Sequence, residues 1–315
     1  MLTLTDYFGI VQPLILDGLT SNSAASYLRA WKLRVQPTLG HLPLDQIKPR
    51  VIALAQAEWS GATSTKADAL ALVSRIMSWA AVDEYVPANP VHSLPRKRGK
   101  ATDADPVARA LSDAEVQRML DLTAWHPYGQ RALAGLAFSG VRLGELVGLR
   151  WDDVDLDARI LTVRRTMSPN GSGRLETRPT KSGRTREVPI IDDLLPWLVA
   201  ARDEGYETLF TGARGKPFDS GNLTRSVRWT GIRDQIKRFP GDQEPLHPHD
   251  LRHTFLTRLA RLGASPHQIQ KVAGHSTIRV TEMYTRLAAR EAADAVRLVV
   301  DGRNREVNLG EVRAG

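Results

Sequence analysis

The sequence contains no cysteine, and this absence excludes several kinds of chemistry at once. Disulfide bonds, cysteine nucleophiles, iron–sulfur clusters and thiolate zinc sites are all ruled out, and a reducing compartment accommodates such a chain easily. No apolar run approaches the roughly 18–20 residues that a transmembrane helix needs. The N-terminal stretch carries Asp6 and Asp17 and has no basic region, so it does not resemble a secretory signal. We therefore expect a cytoplasmic protein with no membrane partner.

Aromatic residues are scarce, at 6%, and 24 glycines and 18 prolines in 315 residues are too few for a low-complexity chain. At about 150 residues per domain, the length indicates two domains. Negative charge is in deficit, because 43 Lys and Arg face 35 Asp and Glu, which gives a net charge of +8. A basic balance favours a polyanionic partner, and nucleic acid is the first candidate.

The spacing of apolar residues predicts a mainly helical chain with one small antiparallel β-sheet in its second half. Pro37 and Gly40 are expected to end an early helix, because proline interrupts helical hydrogen bonding. A capping box formed by Ser112 and Glu115 marks the start of a second helical region. The clearest helices are expected at residues 21–34, 64–82, 130–138 and 143–149, and the strands at 160–166 and 184–190, with turns at Asn170-Gly171 and Ser182-Gly183.

Residues 93–108 have the composition of a linker and show no apolar period. They include a basic cluster, formed by Arg96, Lys97, Arg98 and Lys100. Such a run is either a solvated connector or a contact for phosphates, so these four residues are DNA-binding candidates. The linker separates a helical domain at 1–92 from a larger domain at 109–290, which is followed by a tail at 291–315.

Histidine is concentrated near the C-terminus, and five of the eight histidines lie between residues 247 and 275. His249 and His253 are four residues apart on an expected helix, as two zinc ligands would be. The general-base Glu of an HExxH motif is absent, however, and Arg252 places a permanent cation between them. An anion site is the alternative, because arginine donates two parallel hydrogen bonds to a phosphate. The motif HDLRH alone does not decide between the two.

Four spaced segments provide the missing context: FSGVRLGELVGLRWDDVD at 138–155, TKSGRTREVPI at 180–190, HPHDLRHTF at 247–255 and VAGHSTIRVTEMY at 272–284. In this order, they resemble the catalytic domain of the tyrosine recombinases, the phage integrase family. The interval from His275 to Tyr284 also resembles that of the family.

The resemblance implies a role for each reactive residue. The implied catalytic set is Arg142 as the first arginine of a phosphate clamp, Lys181 at the tip of a hairpin, His249 and Arg252 as the H-x-x-R pair, His275 as the second histidine and Tyr284 as the nucleophile. Glu145, three residues after Arg142, is expected to hold that arginine in place, and His253 is expected to be structural.

The implied chemistry is physically reasonable. A tyrosine with a pKa of about 10 is a poor nucleophile at neutral pH unless a base or a positive field helps to remove its proton. Two arginines can stabilise the charge that grows on the phosphate oxygens, and Lys181 is the candidate donor of a proton to the leaving 5′ oxygen. The resemblance implies a covalent 3′-phosphotyrosyl intermediate and requires neither a metal nor another cofactor.

Residues 1–92 resemble the helical core-binding domain of the same enzymes, with PTLGHLPLDQI at 37–47 and NPV at 89–91. Many phage integrases carry an arm-type DNA-binding domain ahead of this one, and because the pattern here starts near Met1, we expect a form that lacks it. The resemblance implies double-stranded DNA with core sites as the substrate, a homotetramer on DNA, and an accessory directionality factor as a further partner. The tail at 291–315 is expected to dock either on its own domain or on a neighbouring protomer. A phage or mobile-element integrase is the favoured function.

Two alternatives remain open from the sequence. A type IB topoisomerase-like enzyme uses similar tyrosine chemistry to relax supercoiled DNA. A non-catalytic regulator is suggested by helix 251–262, the turn Gly263-Ala264-Ser265 and a second helix from Pro266, which together are typical of a helix-turn-helix. A regulator would not need Arg142 or Lys181.

Overall fold

The computed structural model describes residues 1–95, 110–170, 173–180, 183–236 and 245–286, together with 288, 289, 292, 293, 296 and 297. The chain divides into two compact units: an N-terminal unit, Met1–Lys100 with Pro169–Arg174, and a C-terminal unit with the remaining residues. Lys181 and the basic cluster (Arg96, Lys97, Arg98 and Lys100) lie outside the described residues. None of the helices in the described part of the chain is long and apolar enough to cross a membrane.

Residues 1–95 form a helical bundle. Its helices are α1 (Leu4–Leu16), α2 (Ser21–Ala30), α3 (Gln36–Leu39), α4 (Pro49–Glu58) and α5 (Thr63–Val82), with 3₁₀ turns at Leu44–Gln46 and Pro90–Ser93. The helices pack around a core that includes the fully buried side chains of Leu4, Val35, Ile52 and Leu72. Asn89 closes the bundle, because its amide donates to the carbonyl of Ser74 on α5 while its Oδ1 caps the turn that follows.

The predicted end of the early helix at Pro37 is wrong. A π-helical turn at Trp31–Val35 connects α2 to α3, and the helical path continues through Pro37 to Leu39. A proline ring inside a regular α-helix collides with the carbonyl four residues earlier. The wider π turn immediately before Pro37 changes the hydrogen-bond spacing, as seen in the bond from the Gln36 N–H to the Trp31 carbonyl, and so accommodates the ring.

The C-terminal unit is also mainly helical. Its helices are α6 (Asp113–Thr123), α7 (Pro127–Ser139), α8 (Leu143–Leu146), α9 (Leu195–Arg202), α10 (Ser220–Ser226), α11 (Trp229–Ile236), α12 (Asp250–Arg261) and α13 (Pro266–Ala273), followed by a helical segment at 279–286 that we call α14. The predicted capping box is present: the Ser112 hydroxyl accepts from the Glu115 N–H and the Glu115 carboxylate accepts from the Ser112 N–H.

Five short strands lie between α8 and α9: β1 (Val154–Asp155), β2 (Ile160–Val163), β3 (Arg165–Pro169), β4 (Leu175–Pro179) and β5 (Arg186–Pro189). They form two sheets rather than one, an antiparallel sheet in the order β1-β2-β5 and a β3-β4 pair. The predicted fold class, mainly α with a small antiparallel sheet, is confirmed. Sequence reasoning missed β4, whose residues LETRP lack an apolar alternation.

Helix α12 is buried on most of its surface and packs against α7 and α13. Leu251, Phe255 and Leu256 are almost fully inaccessible to solvent. The next helix, α13, is capped by Ser265 and ends at Gly274, which has a left-handed backbone. The fold therefore places the polar residues of α12, and the chain that follows α13, next to the end of α7.

Candidate active site

The first part of the site is the junction between α7 and α8. Gly140 ends α7 with φ 65°, and a Cβ atom there would collide with the ring of Phe255. Arg142 then occupies the N-cap of α8, where its N–H donates to Glu145 Oε2 at 2.9 Å and its Nη1 donates to Glu145 Oε1 at 2.9 Å. The turn thus fixes both the backbone and the guanidinium of Arg142, whose side chain stays 35% exposed.

Glu145 is a buried carboxylate bound by two arginines. Arg186 of β5 donates to Oε1 at 3.1 Å and to Oε2 at 2.6 Å, in addition to the bonds from Arg142. Burial alone would raise the pKa of Glu145, but the hydrogen bonds and charge of Arg186, together with Arg142, outweigh it and lower the pKa to about 2. Glu145 is therefore ionised at neutral pH and fixes the position of both arginines.

Arg252 is buried, with 2% of its surface exposed, and most of its hydrogen-bonding capacity is used inside the protein. Its Nη1 donates to the Gly140 carbonyl and its Nη2 to the Ala273 carbonyl, both at 2.6 Å. Nη2 also lies 3.1 Å from Nε2 of His275. A guanidinium has five N–H groups, so two remain for a ligand after these contacts with the described residues. Burial and the charge of Arg142 lower the pKa of Arg252 to about 10, so it remains a cation at neutral pH.

His275 is held at both ring nitrogens. Nδ1 lies 3.0 Å from Oγ1 of Thr281, and Nε2 faces Arg252. Burial first, and then the charges of Arg252 and Arg142, lower the pKa of His275 to about 4, so the ring is neutral at pH 7. Arginine can only donate, so we assign Nε2 as the acceptor and Nδ1–H as the donor to Thr281.

Tyr284 lies on α14 and is only 1% exposed. Its hydroxyl is 2.6 Å from Nδ1 of His253, and its ring stacks on His275 with 6.2 Å between the ring centres. Burial raises the pKa of Tyr284 to about 12, although the charges of Arg252 and Arg142 oppose that rise. The phenol is therefore protonated at neutral pH in the absence of DNA.

His249 lies at the N-terminal end of α12 and keeps an exposed surface. Its ring meets the ring of His253 edge-on, with 5.3 Å between centres. Desolvation of the ring and then the charge of Arg252 lower the pKa of His249. The neutral imidazole that results can donate its N–H to a bound phosphate.

The structure brings together seven of the residues selected from the sequence, although they come from three separated segments: Arg142, Glu145, His249, Arg252, His253, His275 and Tyr284. Lys181 is outside the described residues, and its place in the site stays a prediction.

Sequence reasoning missed two residues of this site, Arg186 and Thr281. A signal for Arg186 existed, because it lies two residues before the buried Val188 on β5 and therefore on the same face of the strand. The local sequence gives no comparable signal for Thr281, whose bond to His275 depends on the turn between α13 and α14.

A cleft of about 800 Å³ opens beside the buried cluster and exposes part of it to solvent. Arg184, Arg186 and Lys271 contribute positive charge to its lining against one negative charge from Glu187, and His275 connects it to the buried residues. Within the described residues, no three His, Asp or Glu side chains are placed to hold a metal ion together. The cleft is suited to an anionic ligand.

Two family models match the chain. The model described as the phage integrase family matches residues 109–291, and the phage integrase central domain matches residues 16–97. The first match alone covers more than half of the chain and includes the whole buried cluster.

Curated relatives include the tyrosine recombinase XerC of Xylella fastidiosa strain M23, at 28% identity over 67% of this chain and 65% of that protein. Tyrosine recombinase XerD of Pseudomonas putida is 31% identical over 58% of this chain and 59% of that protein. In both alignments, the chain spans less than two thirds of its relative. XerD of Ralstonia nicotianae is 28% identical over 86% of each chain.

Solved structures share the fold at low sequence identity. The Tn1549 transposon integrase in complex with transposon right end DNA gives a TM-score of 0.74 at 20% identity, over 94% of this chain and 99% of that one. A lambda integrase tetramer bound to a Holliday junction gives 0.70 at 18% identity, over 90% and 77%. The family models and the shared fold lead to one conclusion: the chain belongs to the phage integrase family of tyrosine recombinases.

Proposed function

We propose that the protein is a site-specific recombinase that cuts and rejoins duplex DNA through Tyr284. The observation that carries the proposal is the meeting of a tyrosine hydroxyl, two arginines and three histidines from distant segments in one partly buried cluster. A structural role would not require Arg142 and Arg252 to lie close enough to the phenol to lower its pKa against the effect of burial.

The proposed reaction begins when the Tyr284 oxygen attacks phosphorus in line with the 5′ oxygen. Arg142 and Arg252 stabilise the charge on the non-bridging oxygens, and Lys181 donates a proton to the 5′ oxygen as the P–O bond breaks. The products are a 3′-phosphotyrosyl bond and a free 5′-hydroxyl. The hydroxyl of another strand then attacks the phosphotyrosine in the reverse reaction. One phosphodiester is exchanged for another, so the reaction needs no ATP.

Tyr284 is covered in this structure, and attack requires its hydroxyl to become accessible to the DNA. Residues 279–286 form the short helix that carries Tyr284, and we expect DNA binding to shift this helix. A covered nucleophile also keeps the protein from attacking phosphodiesters that pass by the site. Cleavage would then depend on the correct assembly of protein and DNA.

The basic cleft beside His275 is the proposed contact for the DNA backbone, with Arg184 and Lys271 facing phosphates. We propose that residues 1–92 bind the same duplex as a core-binding domain, that 93–108 link the domains and that 109–290 carry the catalysis. The tail at 291–315 would contact either its own domain or a neighbouring protomer. The lambda integrase tetramer bound to a Holliday junction supports a homotetramer as the assembly that exchanges strands.

The test is covalent trapping on a library of random-sequence DNA duplexes. After denaturation in SDS, only DNA joined covalently to the protein remains attached, and sequencing gives the preferred site. We expect the wild-type protein to retain a small family of sequences and the Tyr284→Phe variant to retain none, while both bind DNA before SDS is added. If neither protein retains DNA although both bind it, the regulator alternative replaces this proposal.

Two biological tasks remain within the proposal. Integration or excision of a phage or mobile element is the first, and the resemblance to XerC and XerD favours resolution of chromosome dimers as the second. Mapping the trapped sequence onto the host genome separates them: an integrase site lies at the ends of an inserted element, whereas a resolution site is present without one. A topoisomerase-like enzyme would instead relax supercoiled plasmid with no sequence preference.

A further inference from the structure

His253 contacts the nucleophile directly, in a position that the motif had assigned to a structural residue. Its Nδ1 is 2.6 Å from the Tyr284 hydroxyl oxygen, and the two rings are offset at 29° with 5.8 Å between their centres. We assign His253 the tautomer with its proton on Nε2, in which the Tyr284 hydroxyl donates and Nδ1 accepts. The Tyr284 O–H group, which must lose its proton during attack, therefore already points at an imidazole nitrogen.

The other two histidines of the cluster make different contacts, and neither forms a hydrogen bond with the Tyr284 hydroxyl in the described part of the chain. His275 has its Nε2 against Arg252 and its Nδ1 against Thr281, and it contacts Tyr284 through ring stacking. His249 meets the ring of His253 edge-on at 5.3 Å, and it lies at the exposed end of α12. Among the described residues, His253 is the imidazole within hydrogen-bonding distance of the Tyr284 oxygen.

We propose that His253 is the general base of the cleavage step and accepts the proton of Tyr284 as the phenol oxygen attacks phosphorus. This inference rests on the proposed function. A general base must lie within about 2.6–3.2 Å of the atom whose proton it removes, and His253 satisfies that distance in the DNA-free protein. His253 can act as the base only if this contact persists when DNA binding shifts α14. His253 is half-buried on α12, one residue after Arg252, so the base and the phosphate-binding arginine are positioned by the same helix turn.

The proton and charge balance is complete. In cleavage, the O–H bond of Tyr284 breaks, its proton moves to Nδ1 of His253, the oxygen–phosphorus bond forms and the bond to the 5′ oxygen breaks. Lys181 supplies the proton that the 5′ oxygen takes up. Rejoining reverses each transfer, since the incoming 5′-hydroxyl gives a proton back to Lys181 and the Tyr284 oxygen recovers its own from His253. No oxidant, metal or co-reactant enters.

The experiment measures single-turnover formation of the covalent complex on a synthetic duplex that carries the trapped site. His253→Asn places an amide near the position of Nδ1, so it can bond the hydroxyl but cannot take a proton, and His253→Ala removes both functions. We expect both variants to form the complex about 100-fold or more slowly, since general-base catalysis contributes about 10²–10⁴. Added imidazole should accelerate His253→Ala and leave His253→Asn unchanged.

A second substrate distinguishes the role of His253 as general base from that of Lys181 as general acid. Replacing the 5′ bridging oxygen with sulfur gives a leaving group that needs no proton, which should restore cleavage by Lys181→Ala. The same substrate should not restore cleavage by His253→Asn. If it restores both variants equally, His253 acts on the leaving group and the proposal is wrong. Cleavage by His253→Asn within about threefold of the wild-type rate would also overturn it, because His253 would then only position the tyrosine.

The matched control is His126→Asn. His126 caps α7 by accepting from the Gly129 N–H at 2.9 Å, and asparagine is a good helix cap, so this exchange should keep both stability and cleavage. Thermal melting of each variant identifies any loss of folding. If the wild-type protein forms no covalent complex on any duplex, the proposed function is wrong. If the wild-type protein forms the complex and His253→Asn forms it at a similar rate, only the role of His253 is wrong.

Discussion

Glu145 and Arg186 are charged residues of the site that hold other charged side chains in position. Glu145 is only 2% exposed, and its carboxylate accepts four hydrogen bonds, two from Arg142 and two from Arg186. Arg186 in turn donates its Nε to the Val272 carbonyl at 2.8 Å, next to the segment that carries His275. A buried carboxylate thus connects the Arg142 turn to the end of α13.

Replacing Glu145 by Gln should destabilise the protein by about 3–5 kcal/mol, because it leaves Arg186 buried without its counter-charge. Denaturant unfolding monitored by tryptophan fluorescence measures the change. Glu282→Gln is the control, since its exposed pair with Arg286 should contribute less than about 1 kcal/mol. Equal effects of the two exchanges would contradict the role given to Glu145.

The lowered pKa of Glu145 also leads to a prediction about stability in acid. Its pKa is lowered from 4.5 to about 2 in the folded protein, so its ionisation stabilises the fold above pH 4.5, and this contribution disappears as the pH falls towards 2. The shift corresponds to roughly 3 kcal/mol. Unfolding free energies of the wild-type protein should fall over that interval more steeply than those of Glu145→Gln. Parallel curves would show that Glu145 is not the group that titrates.

His275 should titrate far below an ordinary histidine. Burial and the neighbouring arginines lower its pKa from 6.5 to about 4. Because the folded value is the lower one, the neutral ring stabilises the fold near pH 7, and this contribution is lost as the pH falls from about 6.5 to about 4. The Cε1 proton of His275 in an NMR titration, assigned with a His275→Gln variant, gives the midpoint directly. A midpoint near 6.5 would contradict the described burial.

Among the elements, the turn that ends α13 has a steric demand that involves a residue of the site. Gly274 adopts φ 65°, and a Cβ atom there would lie 2.9 Å from Cδ of Arg186. Gly263, which follows α12, has φ 88° but open space around it. The two glycines therefore share a left-handed backbone and differ in whether the side chain of Arg186 occupies the space that a Cβ atom would fill.

This difference provides a matched pair of variants. Gly263→Ala and Gly274→Ala should each cost about 1–2 kcal/mol of stability for the left-handed backbone. Gly274→Ala should in addition displace Arg186 and slow covalent complex formation at least about tenfold, which corresponds to about 1.4 kcal/mol. Gly263→Ala should cleave at a rate close to that of the wild type. Equal cleavage by the two variants would mean that Arg186 does not support the site.

The elements also mark the limit of what the sequence could predict. Helix α5 follows from apolar spacing, and the α12-turn-α13 unit follows from the turn Gly263-Ala264-Ser265 and Pro266, which are local features of the sequence. The π turn at Trp31–Val35 could not be predicted, because proline normally predicts a break and tertiary packing decides otherwise. Strand β4 is set by pairing with β3 and not by its own pattern.

The residues that the structure brings together in the cluster could be selected from the sequence for a different reason. Arg142, His249, Arg252, His275 and Tyr284 follow from the order and spacing of motifs, which resemble those of a known family. The contact between His253 and Tyr284 depends on how α14 packs against α12, and no spacing rule in the sequence gives that distance.

For the whole molecule, the net charge of +8 predicts strongly salt-dependent binding to duplex DNA. If 6–10 phosphates are contacted, affinity for a random 30-base-pair duplex should fall by about 10³–10⁵ between 50 and 200 mM salt. Fluorescence anisotropy over a salt series measures the slope. Lys271→Gln should reduce that slope by about 1, whereas Lys271→Arg should keep it. A slope unaffected by Lys271→Gln would place the DNA away from the cleft.

Arg252 joins the ends of α7 and α13 through the carbonyls of Gly140 and Ala273, so its loss would destabilise the fold as well as remove a phosphate-binding group. In a related protein that no longer recombines DNA but still has to fold, selection for stability would preserve Arg252. The presence of Arg252 in a related sequence is therefore weak support for activity. The hydroxyl of Tyr284, which contributes a hydrogen bond to His253 and little else to the fold, is the better diagnostic of a working enzyme.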